Sequence, residues 1–232
     1  MNIIIINHFM KTNKLNFAVF GLKQIMVLVT LCLLSTCFVA CGSDDDPTPE
    51  PDPDPTPEVP VEPKSFSFVS TSTAANEWVY FSFEKGDSVA IDKANAAKDK
   101  TWDIAFQRFY IRTNSGTAGE GQGGALDTKE TAFDKVTKVP TEGFIADTDI
   151  DMMTVMGKFD KRAANTAFQV LEHPVWAWFD APTGDMQWHY NKNVFVIKTA
   201  DGKNYAKIIM QKYKSDDGKS GYITFDYVYP FK

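Results

Sequence analysis

Cysteine, histidine and an excess of basic charge are what this sequence has least of. Its three cysteines, Cys32, Cys37 and Cys41, all fall near the N-terminus. The chain beyond them therefore has no thiol for a disulfide, a thiolate metal centre or a cysteine nucleophile. Beyond the N-terminal stretch only His173 and His189 carry imidazoles. The acids are dispersed, mostly in turns beside glycine or proline. No nucleophile elbow, no metal-ligand spacing and no Gly-Lys-Ser/Thr phosphate loop accompanies them, so the expectation is a protein that is not an enzyme. Residues 65–232 hold 22 acids against 20 bases. That near-neutral balance leaves no basic stripe for nucleic acid. Internal repeats are also missing.

What is present begins with a leader. Met1–Ala40 contains three lysines and no acid, and its apolar run from Ile25 to Val39 ends in Ala40-Cys41-Gly42-Ser43. A positive region, an apolar core and small residues before a cysteine form a lipoprotein signal, with Cys41 as the acylated first residue of the mature chain. The alternative is a membrane anchor, but ~15 apolar residues are short for a span of about 20. The oxidising compartment is inferred from this leader, not from disulfides.

Residues 41–64 form a second segment, in which proline alternates with acids from Ser43 to Pro63. Such a composition forms neither helix nor core. It reads as a tether, extended at ~3.1 Å per residue in polyproline II, so that roughly 21 residues reach about 65 Å.

From Ser65 to Lys232 the pattern is that of a single β-rich domain. Phe66, Phe68 and Val69 open it. Trp78–Phe83 and Ser88–Ile91 read as a hairpin around Lys85-Gly86. Later strands are expected at Val175–Phe179, Met186–Tyr190, Val194–Thr199, Tyr205–Tyr213 and Gly221–Tyr229, separated by glycine- and aspartate-rich turns. Short helices are expected at Asp92–Asp99 and at Arg162–Glu172, where alanines and larger apolar residues recur at helical spacing before His173-Pro174. Many short strands with these turns predict a mainly β fold, an antiparallel sandwich or opened barrel with one or two short helices.

One stretch stands apart. Trp102–Ala125, W-D-I-A-F-Q-R-F-Y-I-R-T-N-S-G-T-A-G-E-G-Q-G-G-A, has apolar residues on both faces of a strand, then five glycines. The strand is expected to be buried on both sides. The glycines allow either a wandering loop or close backbone approach to something bound. Arg108 and Arg112 are expected to brace Asp103 or carbonyl groups.

This run, with V-P-T-E-G-F at Val139–Phe144, A-D-G at Ala200–Gly202 and the terminal G-Y-I-T-F-D-Y-V-Y-P-F, resembles the HmuY-like haem-binding lipoproteins of Gram-negative anaerobes. The resemblance covers roughly Ser65 to Lys232. It implies a haemophore-like lipoprotein on the outer membrane, exposed at the cell surface, that passes haem to a TonB-dependent outer-membrane receptor. The Ser43-Asp44-Asp45-Asp46 run resembles the acidic export signal of such surface lipoproteins.

The family's bis-histidine pattern is not reproduced. Trp176-Ala177-Trp178-Phe179 matches the strand that precedes the second histidine, but that histidine's position falls on Ala181, and neither His173 nor His189 aligns with a ligand. Other members hold iron between two methionines. The resemblance therefore points to Asp151-Met152-Met153-Thr154-Val155-Met156 and to Met186, with Met156 and Met186 as iron ligands and Met153 beside them. Trp176, Trp178, Trp188 and Tyr190 are the expected walls of a porphyrin slot, with Lys192 or Lys158 near its rim. Core packing explains any one of these aromatics or thioethers equally well. Two other functions also stay open: binding of a glycan, peptide or other tetrapyrrole on Trp176, Trp178 and Trp188, and a protein-interaction surface.

Overall fold

Phenylalanine at alternate positions is what brings the two main sheets together. In the strand β1, Lys64–Val69, Phe66 and Phe68 point one way and the serines the other. Phe225 in the last strand does the same, and their rings meet Phe81 and Phe106 of the opposite sheet. Centroid separations are 4.7 Å for Phe66–Phe81, 4.8 Å for Phe68–Phe106 and 5.2 Å for Phe81–Phe225. Each such ring contributes about 1.5–3 kcal/mol by leaving water. The period-two spacing in the sequence is thus the direct cause of the layer contact.

The computed structural model describes residues 61–168, 176–181 and 183–232. The leader, Cys41 and most of the tether lie outside the described residues, as do His173 and residues 169–172 of the expected second helix. The elements in order are β1, β2 (Val79–Ser82), β3 (Asp87–Val89), β4 (Ile104–Gln107), β5 (Tyr110–Thr113) and β6 (Gly124–Asp127). A 3-10 turn (Phe133–Lys135) follows, then β7 (Thr148–Val155), β8 (Lys158–Ala164), β9 (Ala177–Phe179), β10 (Trp188–Tyr190), β11 (Val194–Lys198), β12 (Tyr205–Lys214) and β13 (Ser220–Phe231). One sheet has the order β1-β13-β12-β11-β6 and the facing sheet β3-β2-β4-β5. Two further hairpins, β7-β8 and β9-β10, form separate two-stranded ribbons. All pairings are antiparallel. The fold is a mainly β, open antiparallel sandwich without a closed barrel, as the strand and turn pattern predicts.

The expected early hairpin is present, with Gly86 at φ +68° in its turn. Three expectations need correction. Asp92–Asp99, expected to be a short helix, forms consecutive turns, with the Asn95 amide donating to the Asp92 carbonyl and the Lys98 amide to the Asn95 carbonyl. The strand from Trp102 is buried throughout Trp102–Gln107, but it does not run on through Arg112. Arg108, at φ +55°, turns the chain back, and Gln107 pairs with Tyr110 across a two-residue loop. Arg162–Ala164, expected to begin a helix, belongs to β8, where Arg162 pairs with Ile150 and Ala164 with Thr148. A short alanine-containing apolar run satisfies both periods, and cross-strand pairing decides between them.

The glycine loop is organised around Asn114, a fully buried residue. Its side-chain amide donates to the carbonyls of Asp99 and Trp102 at 2.8 and 3.0 Å, and its carbonyl accepts from the amide of Gly121 at 3.1 Å. A Cβ on Gly119 or Gly121 would fall within 2.1 and 2.5 Å of Asn114 atoms. The glycines therefore serve close approach within the fold. Next to this knot, the buried Asp147 carboxylate accepts from the Thr113 amide at 3.0 Å, the Thr113 hydroxyl at 2.6 Å and the Asn165 amide at 2.8 Å.

The two arginines brace other groups than Asp103. Arg112 donates to the Tyr80 hydroxyl at 2.5 Å and lies over the rings of Trp78, Tyr80 and Trp102 at 4.1, 5.2 and 5.3 Å. Asp103 instead accepts from the amides of Phe83 and Ala200, joining the two sheets.

Candidate functional site

The β7-β8 ribbon shows how alternation distributes the methionines. Met152 faces the core and is 1% exposed, whereas Met153 is half-buried. The ribbon turns at Met156-Gly157, with Gly157 at φ +77°. Met156 at that tip is 94% exposed, and its neighbours Val155 and Phe159 are exposed as well. The methionine cluster thus divides into one core residue, one residue at the ribbon's flank and one thioether held out to solvent.

The second ribbon carries the aromatics. β9 and β10 pair Trp188 with Phe179, His189 with Trp178 and Tyr190 with Ala177. Trp176, just before β9, is fully buried and stacks on Tyr190 at 6.0 Å. Half-buried Trp178 lies nearly parallel to His189, 5.3 Å away and 17° inclined. Trp188 meets the rings of Phe109, Phe179 and Tyr213 at 5.5, 5.7 and 4.7 Å. The Tyr190 hydroxyl accepts from the Tyr213 amide at 3.0 Å, which fixes the ribbon against β12. Met186 sits in the loop between the strands at φ +54°, with its side chain exposed.

Both ribbons are rooted on one turn. Arg108 donates to the Met153 carbonyl at 3.3 Å, and the Met153 amide donates to the Tyr110 hydroxyl at 2.8 Å. On the other side, the Trp176 indole N–H donates to the Phe109 carbonyl at 2.8 Å, while the Phe109 ring packs on Trp188. The β4-β5 turn therefore joins the base of the methionine ribbon to the base of the aromatic ribbon.

Electrostatics follow from partial burial. Burial pushes the Tyr213 hydroxyl up, offset by its hydrogen bond to Arg108. Burial likewise raises Tyr190, and it lowers Lys192, whose ammonium bonds the Gln211 carbonyl and side chain and lies over the Tyr190 ring. In the β9-β10 loop, Thr183 holds the Asp180 carboxyl below its ordinary range. His189 Nε2 lies 2.6 Å from a carboxylate oxygen of Asp185. One donor atom each from Asp180, Asp185 and His189 falls within 4.8 Å of the others.

Of the residues singled out in the sequence, Trp176, Trp178, Met186, Trp188 and Tyr190 share one ribbon or its base, while Met153 and Met156 share the other. Full burial removes Trp176 as a stacking platform for a sugar. Lys158 is exposed at the start of β8. Two concave recesses, about 590 Å³ beside Leu126 and Val136 and about 330 Å³ beside Asp103 and Tyr229, contain none of these residues. Arg108, expected to brace Asp103 or carbonyl groups, holds the Met153 carbonyl; sequence reasoning missed Phe109 and the reversal of direction at Arg108, which has no glycine to announce it. It also missed the Asp180, Asp185 and His189 group, whose only signal is the four-residue spacing from Asp185 to His189.

Comparison with known proteins follows the same line. The family model described as HmuY protein matches residues 74–227. Among solved structures, the fold is shared with a candidate HmuY-like haem-binding protein of Bacteroides vulgatus, at 22% identity and a TM-score of 0.54 over 73% of this chain and 93% of that one. An apo HmuY analogue of Tannerella forsythia matches at 24% identity and a TM-score of 0.51, over 73% and 96%. A candidate lipoprotein of Bacteroides fragilis matches at 22% and 0.53, over 73% and 90%. No curated protein matches the chain.

Proposed function

The chain belongs to the HmuY family, and from that membership we propose that it is a lipoprotein of the outer-membrane surface, acylated at Cys41, that captures haem. It hands the haem to an outer-membrane receptor without chemical conversion, and is a binding protein rather than an enzyme. The observation that carries this reading is the distribution of exposed apolar side chains. Of the eight large ones among the described residues, Val155, Met156, Phe159, Phe179 and Met186 lie on the two ribbons rooted at Arg108-Phe109. An exposed apolar concentration marks a binding surface.

The donor set fits haem held by sulfur. Met156 and Met186 are exposed thioethers whose loss of solvent contact costs no core packing, and soft sulfur favours ferrous iron. Trp188, Tyr190 and Trp178 supply apolar ring surface, Met153 sits on the other ribbon where Arg108 and Tyr110 hold its backbone, and the Lys192 ammonium suits a propionate. Coverage of the two ribbons by a planar apolar ligand would remove from water the side chains that now face it.

Titration of the protein with haemin, oxidised and then reduced with dithionite, tests the proposal. The expected result is a sharp six-coordinate Soret and Q-band spectrum on reduction, lost in the Met156→Ala/Met186→Ala double variant. An unchanged spectrum in that variant would sink the ligand assignment. Absence of any haem spectrum in both redox states would sink the function.

A further inference from the structure

The haem reading leaves unused the one mixed nitrogen and oxygen cluster of the β9-β10 ribbon. Asp180 follows β9, Asp185 lies in the loop and His189 is central in β10. We propose that His189 Nε2 and the carboxylates of Asp180 and Asp185 bind a first-row divalent transition-metal ion, with zinc as the representative.

The geometry is close to what such an ion requires. His189 Nε2 and an Asp185 oxygen are already 2.6 Å apart, and the three donor atoms lie within 4.8 Å. Donors about 2.0–2.2 Å from a zinc ion stand roughly 3–3.5 Å from each other. Side-chain rotation covers that difference. The loop that presents the donors is closed by backbone hydrogen bonds from Asp180 to the Gln187 carbonyl at 2.9 Å and from Met186 to the Asp180 carbonyl at 3.1 Å. Stacking on Trp178 fixes the imidazole plane, which is the orienting role that groups behind a metal ligand usually fill.

Charge and donor type select the ion class. Two carboxylates at this spacing repel, whereas a dication balances both. One imidazole with two carboxylates suits zinc, iron(II), manganese or nickel. It suits calcium and magnesium less, since they take oxygen alone, and copper(I) less, since it prefers sulfur. Three protein donors leave positions for water. Met186 contributes no donor, so this site stands whether or not Met186 ligates haem iron.

Calorimetric titration of the haem-free full chain with zinc sulfate at about pH 7.5 tests the proposal. The expected result is one saturable site per chain in the micromolar range, weakened about tenfold or more by Asp185→Asn and by His189→Gln. Cobalt(II) gives a second readout, with ligand-field bands present in the parent protein and absent in His189→Gln. Circular dichroism checks that each variant is folded. If His189→Gln does not fold, Asp185→Asn, which keeps the imidazole and its stack, decides the matter alone. No stoichiometric zinc binding, or equal affinity in the variants, would overturn the site; the latter would transfer binding to other groups such as His8 or His173.

Discussion

The indole N–H of Trp176 donates to the carbonyl oxygen of Phe109 across 2.8 Å, in a fully buried setting. This bond fastens the aromatic ribbon to the turn that also holds the methionine ribbon through Arg108 and Met153. Trp176→Phe keeps an aromatic ring and removes the donor. The expected loss is about 1–3 kcal/mol, read from the urea midpoint, because a buried hydrogen bond is broken and volume is lost. A variant as stable as the parent would show that the bond does not secure the ribbon.

Packing and ligation separate cleanly among the methionines. Met152→Ala removes a side chain that is 1% exposed and should cost about 2–5 kcal/mol. Met156→Ala, at a side chain 94% exposed, should change stability by less than about 0.5 kcal/mol. Denaturant unfolding of both variants without haem checks this contrast, and a large loss in Met156→Ala would assign that residue to packing.

The glycine positions differ in the same way. Gly116 is at φ +54°, and an added Cβ would meet the Asp147 carbonyl oxygen at 2.1 Å. Gly157 is at φ +77° with nothing within 4 Å. Gly157→Ala should cost about 1 kcal/mol for backbone strain alone, and Gly116→Ala several-fold more, up to failure to fold. Thermal unfolding followed by circular dichroism ranks them, and equal losses would contradict the close approach.

Asp147 gives a pH dependence of defined sign. Burial pushes its carboxyl up from 3.8 to about 7, opposed by hydrogen bonds from Thr113 and Asn165 and by the charge of Arg112. The folded state then holds the proton more tightly than the unfolded chain. Its contribution to stability is complete below pH 3.8, declines as pH rises, and levels off above about 7. The change amounts to roughly a few kcal/mol. Urea midpoints from about pH 4 to 8 at constant salt should fall in the parent relative to Asp147→Asn. A difference that does not vary with pH would contradict the raised value.

Much of the fold was legible because its determinants are local. Alternation at Phe66 and Phe68 and along Ser220–Phe231, and the continuous apolar run Val194–Ile197, specify strands, and Lys85-Gly86 specifies a turn. The break at Arg108 was not legible, because a left-handed arginine is imposed by the surrounding contacts and not by its own preference. The β7-β8 ribbon was missed for a related reason. Its strands carry Asp149, Asp151 and Lys161 on one side, and only the pairing of Thr148–Val155 with Lys158–Ala164 reveals them as a ribbon. In the candidate site, Met156, Met186 and the tryptophans could be named from sequence, but their common root could not, since Phe109 and Trp176 meet only through the long-range fold.

The first described strand has a mechanical consequence. β1 pairs with β13 through six successive partners, from Lys64↔Tyr227 to Val69↔Tyr222. Tension arriving along the chain ahead of Lys64 is directed down the axis of β1. It loads these rungs side by side in shear, so they must yield together and not one after another, as they would if peeled. A load on the chain ahead of Lys64 therefore meets all six pairs at once.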